Sequence, residues 1–197
     1  MSNSASPDTS AQEPVDLGDN WDLSNLAPSD SSLTATVSTI HLCCLRNDLN
    51  EGDENGEPPT SHWVLCLQIA PDSSIMLDMA PGYGTDGLRG KIEASSLPGV
   101  AYTDETLHAF SYTPLKSDIT VAAIAKLIND KGRNAFNFSP EWEGCRFWLT
   151  VIMKDLEEAG IVKDGSAEQA AKALLLYWRN PEGSGPRVMR EGVFRGE

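Results

Sequence analysis

Of the four cysteines and three histidines in this 197-residue chain, one pair has types and order suited to nucleophilic chemistry. Cys145 follows Gly144 and opens the stretch Cys145-Arg146-Phe147-Trp148-Leu149-Thr150. Its apolar positions, continued by Ile152, Met153 and Leu156, recur at i, i+3, i+4 and i+7, the pattern of one helix face. A thiol in the first turn of a helix lies near the positive end of the macrodipole and near unpaired N–H groups, and both favour the thiolate. Such a thiol becomes a nucleophile only with a base within hydrogen-bond reach. His62 is the candidate, because it opens a strand at the end of a loop, where a side chain reaches the sheet edge. His41 and His108 sit inside alternating strand patterns and read as structural. Cys145 is also in phase with the apolar helix face, so an inert, packed thiol is the competing reading.

The elements that must position this pair follow from periodicity. Leu33 to Leu45 is β-branched and alternating and reads as a first strand. Ser61 to Ala70 and Ser74 to Ala80 flank Pro71-Asp72-Ser73, turn residues that predict an antiparallel hairpin. Pro81 to Gly90 holds four glycines without the Lys-Ser/Thr ending of a phosphate loop, so it reads as a wide turn or bulge, or a pocket rim. Lys91 to Ser95 and Thr106 to Thr113 supply two more strands. Helices are predicted from Ile119 to Asp130, capped by Ser117 or Asp118, from Cys145 to Gly160, and from a Ser166/Gln169 capping box to Tyr177 and Trp178. Strands first and helices last give an α+β fold: an antiparallel sheet of about five strands with two or three helices on one face.

Charge and composition narrow the partners. The formal net charge is −14, but eleven acids lie in residues 1–32 and 47–60, stretches without Lys or Arg; removing them from −14 leaves −3. The acidity belongs to solvated segments, and a chain without a basic face is an unsuitable partner for nucleic acid or an anionic membrane. Residues 1–32 read as a disordered acidic arm, with Trp21 and Leu26 able to dock; 33–179 read as a single domain containing an acidic loop at 47–60, and 180–197 as a flexible tail. Cys43, Cys44, Cys66 and Cys145 match neither a disulfide framework nor a zinc spacing, so no metal or other cofactor is expected. No apolar run reaches membrane length, and a reduced, cytoplasmic protein is the expectation.

His62-Trp63-Val64-Leu65-Cys66-Leu67 opening a hairpin, with Gly144-Cys145-Arg146-Phe147-Trp148 opening a later helix, resembles the circularly permuted papain-like thiol enzymes of the lecithin-retinol-acyltransferase-like and PPPDE types. Over roughly residues 35 to 160 the chain also resembles an uncharacterised fungal domain family with H-W, G-Y-G-x-D-G-L-R-G-K and E-G-C-R-F-W signatures. The permuted-papain resemblance implies Cys145 as nucleophile and His62 as general base, with Gly144 where that family carries Asn. It implies an orienting residue from the next strand, where Asp78 is the ionisable candidate. A turn centred near Asp72 would put Asp78 opposite residue 66 or 67, roughly 13 Å along the strand from His62. Trp63, Tyr83, Trp142 and Trp148 are candidate substrate-pocket walls, with Phe136 and Phe138 beside them, and Arg146 either holds a substrate carboxylate or points to water. The implied activity is cysteine-dependent hydrolysis or acyl transfer on a small-molecule or peptide-like amide, ester or thioester. The alternative is a non-hydrolytic small-molecule-binding or natural-product tailoring protein with a structural Cys145.

Overall fold

The computed structural model describes residues 16–26, 31–47, 60–98, 105–179 and 183–196; the acidic arm at 1–15 and most of the acidic loop, 48–59, lie outside them. The chain is α+β. Its strands are β1 (Trp21–Asn25), β2 (Thr39–Leu45), β3 (His62–Ala70), β4 (Ser73–Tyr83), β5 (Arg89–Pro98), β6 (Thr106–Tyr112), β7 (Phe136–Asn137), β8 (Leu176–Trp178), β9 (Ser184–Pro186) and β10 (Val193–Phe194). Its helices are α1 (Ser31–Thr34), α2 (Val121–Asp130), α3 (Cys145–Glu158) and α4 (Ser166–Leu174). The main sheet has eight strands in the order β10-β7-β5-β4-β3-β2-β6, with β1 added beside β5. Pairing is antiparallel except for β1 with β5.

The sheet exceeds the expected five strands because both ends of the chain join it. Trp21 is buried, and its indole N–H donates to Asn129 Oδ1 at 2.8 Å while Asn129 Nδ2 donates to the Leu17 carbonyl at 3.1 Å. One α2 side chain thus ties down a segment that composition assigns to a disordered arm. At the other end, Phe194 packs on Phe136 with ring centroids 5.1 Å apart, and Arg187 is buried. These contacts give the expected flexible tail two strands and a seat in the core.

The β3–β4 hairpin forms as Pro71-Asp72 predicts, but with a register irregularity between Gln68 and Ala70. The pairs run Ala70 with Ser73, Gln68 with Ser74 and Leu65 with Leu77. Asp78 therefore falls beside Val64, two residues from His62 on the same face, rather than opposite 66 or 67. The turn is centred between Pro71 and Asp72, and the extra β3 residue between Gln68 and Ala70 moves the partner by one further position, which counting from a turn at Asp72 misses.

Alternation places Ile40, Leu42, Cys44, Trp63, Leu65, Leu67, Ile75, Leu77 and Met79 in the main core with the helices. The opposite parity gives a small second cluster of Cys43, Val64 and Cys66. From α3, Trp148, Leu149, Ile152, Met153 and Leu156 enter the main core, at the positions their periodicity marks.

Helix ends depart from expectation in two places. Thr120, not Ser117 or Asp118, caps α2 by accepting the Ala123 N–H at 3.1 Å. Gly165, with φ 85°, caps α4, so the Ser166/Gln169 capping box does not form; the Glu157 carboxylate takes the Ala167 N–H at 2.7 Å instead. α4 stops at Leu174, and Leu176–Trp178 becomes a strand paired with β9. Among the described residues no helix is long and apolar enough to cross a membrane.

Candidate functional site

The residues with chemical potential gather at one end of the sheet, where β3 begins, β4 ends and β5 starts. Antiparallel pairing makes this end common to His62, Tyr83 and Arg89, and α3 brings Cys145 to it. The start of β3 is held by Ser61, whose hydroxyl donates to the Trp178 carbonyl at 3.1 Å and accepts the Trp178 N–H at 3.3 Å.

His62 Nε2 lies 2.9 Å from both carboxylate oxygens of Asp78. Their side chains are 31% and 19% exposed, so the pair is shielded without being sealed from water. With Nε2 committed to Asp78, Nδ1 is the ring nitrogen left for a second partner. The Cys145 thiol stands near enough to the imidazole to act on it. Burial by itself would hold the imidazole neutral, but the bond to Asp78 and its negative charge, with the nearby thiol, outweigh it, and His62 is held well above the ordinary histidine range. A thiol, an imidazole and a carboxylate thus come together at this end of the sheet.

Cys145 is partly exposed and is the first residue of α3. Gly144 before it makes this seat possible by size: a Cβ there would meet Phe136 at 2.9 Å and Phe138 at 3.1 Å. The same two residues exclude a side chain at Gly90, where a Cβ would meet the Phe138 ring at 3.1 Å, the Phe136 carbonyl at 3.2 Å and Met79 Sδ at 2.7 Å. The glycine-rich segment is thus a close-packing surface with a register break between Ala80 and Tyr83, the turn-or-bulge reading of its composition.

The other thiols lack these features. Cys44 is fully buried, and burial pushes it up to about 12 despite a hydrogen bond with Ser61; Cys145 lies within its electrostatic reach. Cys43 and Cys66 are buried, and Cys66 is raised by its hydrogen bond with Cys43 and by burial.

The remaining candidates divide. Trp63 and Trp148 are 1% and 0% exposed; the first stacks on Phe110, and the second donates its indole N–H to the Arg133 carbonyl at 2.8 Å. Both are core rather than pocket wall, as are Phe136 and Phe138. Tyr83 donates to Glu93 at 2.8 Å and carries Lys91 over its ring. Trp142 is 52% exposed, has a left-handed backbone (φ 61°), and lies against Gly87, where a Cβ would come within 2.7 Å of the indole. It is the candidate wall residue that faces solvent at the site's end of the sheet.

Arg146 does not point to water; its side chain is taken up by the C-terminal segment. It is 3% exposed and donates to the carbonyls of Leu174, Arg187 and Val188 at 3.3, 3.3 and 2.7 Å and to Glu143 at 3.2 Å. Helical phase assigns it to the solvent side, but the C-terminal segment covers that side. Sequence reasoning also misses Glu143, which accepts Arg187 at 2.7 Å; its only signal was an acid two residues before the cysteine.

His41 and His108 are structural, as their patterns suggest. His41 bonds Ser111 at 2.8 Å and Gln68 at 3.2 Å, and His108 stacks on Trp178 at 3.9 Å. Two surface grooves, lined by residues from 36–38, 111–117 and 163–169, lie at the far end of β2 from His62. No group of three or more His, Cys, Asp or Glu side chains among the described residues is arranged to hold a metal ion.

Fold and site together define an α+β protein with a cysteine, a histidine and an aspartate gathered at one end of a long, mainly antiparallel sheet. The chain belongs to a domain family of unknown function (DUF7770), whose pattern matches residues 40–195. That span takes in β2 through β10 and all three of these residues. No curated protein matches the chain, and no solved structure does.

Proposed function

We propose that this protein is a cysteine-dependent hydrolase or acyl-transfer enzyme, with Cys145 as nucleophile, His62 as acid and base, and Asp78 as the group that orients and charges His62. The observation that carries this is a His62 bonded to Asp78 at 2.9 Å beside a partly exposed thiol at a helix start. In such a pair the proton rests on the imidazole and the sulfur carries the negative charge. The thiolate attacks the carbonyl carbon of an amide, ester or thioester. First-turn N–H groups of α3 face the developing oxyanion. The imidazolium then protonates the leaving group, and an acyl-cysteine remains. Water, or an acceptor nucleophile in acyl transfer, gives its proton to His62 and releases the acyl group. The arrangement accords with the resemblance to permuted papain-like enzymes, with a small-molecule or peptide-like substrate and with a reducing, cytoplasmic setting.

The test is alkylation by iodoacetamide as a function of pH, read residue by residue by mass spectrometry, alongside turnover of model thioesters, esters and amides. Cys145 is expected to react far below the pH of about 8.5 at which a free thiol ionises. Cys145→Ser and His62→Ala abolish turnover while the fold persists. A Cys145 that resists alkylation in the native protein, with turnover indifferent to both substitutions, returns it to the role of a packed thiol.

A further inference from the structure

Glu143 and Arg146 bracket the Gly144-Cys145 step, and their side chains leave the sheet for the C-terminal segment. Arg146 spans three pieces of chain: its own helix start, the end of α4 at Leu174, and residues 187–188. Glu143 is shared between Arg146 and Arg187, with Arg190 approaching at 3.5 Å. Three of the four acceptors of Arg146 are neutral carbonyls, which satisfy its N–H groups without cancelling its charge. A guanidinium held by four acceptors on its two terminal nitrogens is fixed in place, unlike a solvated lysine.

We propose that Glu143 and Arg146 are positioning residues for the Cys145 thiolate: together they lock the first turn of α3 to the C-terminal segment and set the positive field behind the sulfur. This rests on the reading of Cys145 as nucleophile. The lock fixes where the first-turn N–H groups point, which a helix start seated only by Gly144 against Phe136 and Phe138 would not do. Arg146 directly follows Cys145 in the chain and Glu143 lies two residues before it, so both charges act on the sulfur from close by. Glu143 opposes that field, so the two residues act on the thiolate with opposite sign.

The opposite sign is what separates this role from packing alone. Iodoacetamide alkylation of Cys145 against pH is measured on the full chain, with circular dichroism and thermal unfolding on the same samples. Arg146→Met raises the alkylation midpoint by about half a unit to one unit, and Glu143→Gln lowers it by a similar amount. Arg146→Lys keeps the midpoint near the parent's, because the charge remains, but lowers turnover and unfolding temperature, because an ammonium cannot reach three carbonyls at once. If Arg146→Met does not fold, Glu143→Gln carries the test alone. Midpoints that stay put, or move in the same direction in both folded variants, overturn the proposal. A parent midpoint equal to that of a free thiol overturns the catalytic reading itself. A low parent midpoint that depends on His62 but not on Arg146 or Glu143 overturns only the positioning role.

Discussion

His62 and His41 project from the same face of adjacent strands, and the sheet treats them in opposite ways. His41 is 5% exposed and its ring meets two uncharged groups, the Ser111 hydroxyl and the Gln68 amide. Burial then decides, and His41 is held below the ordinary histidine range in spite of the Gln68 bond. His62 meets a carboxylate at 2.9 Å and a thiol, and it is held above that range in spite of burial. Desolvation acts on both rings in the same direction. The charge of the partner makes the difference: an amide leaves the cost of burying an imidazolium uncompensated, whereas a carboxylate reverses it. One strand pair therefore carries a histidine held below the ordinary range at one end and one held above it at the other.

Removing the charge that separates them should have the largest effect. Asp78→Asn preserves the shape of the His62 partner but makes it an amide, like Gln68. The expected outcome is a drop in Cys145 alkylation rate and in turnover of about 10- to 100-fold near pH 6.5, recovering in part at higher pH as the thiol ionises on its own. A flat profile that matches the parent would mean that Asp78 does not charge His62. The converse change, Gln68→Glu, gives His41 a carboxylate. Its titration, followed by NMR of the ring protons, should move up by about one unit or more; an unmoved His41 would show that burial, not partner charge, sets its behaviour.

The two rings should also bend the stability curve in opposite directions. A histidine raised on folding contributes stability that is complete below its unfolded value of about 6.5 and is lost as pH rises through the higher folded value. His62 is of this kind. A histidine lowered on folding contributes stability that is present above about 6.5 and is lost as pH falls through the lower folded value, which describes His41. Urea unfolding of His62→Gln and His41→Gln between pH 5 and 8 should therefore show deficits of opposite pH dependence: His62→Gln loses most at low pH, and His41→Gln loses most at high pH. Matching slopes would undo the comparison. The smallest effect is that of Ser111→Ala, which removes one uncharged partner of His41 and should cost about 1 kcal/mol.

Much of this was legible in the residues. The alternation in β2, β3 and β6, the Pro71-Asp72 turn and the 3.6-residue period of α2 and α3 report local physics, and the structure follows them. Cys145 and His62 were also legible, because a helix start and a strand start are local features. Asp78 was visible as a candidate but misplaced, since the irregularity near Gln68 and Ala70 depends on how two strands pair. Trp21 and Phe194 lie in segments whose composition does not support a fold of their own, and they are ordered by Asn129 and Phe136, residues more than fifty positions away. Arg146 carries a polar side chain at a helix position whose outer face belongs to solvent until another segment covers it.

The sequence by itself determined most of the elements, the α+β class and the choice of Cys145 and His62 as candidates, because propensity, period and capping act over a few neighbours. Only the tertiary structure decided that Asp78 meets His62, that Arg146 turns inward beneath the C-terminal segment, and that His62 is held above the ordinary histidine range while His41 is held below it. Those outcomes depend on pairing register, burial and the charge of groups distant in the chain, and none of these is a property of a short stretch of residues.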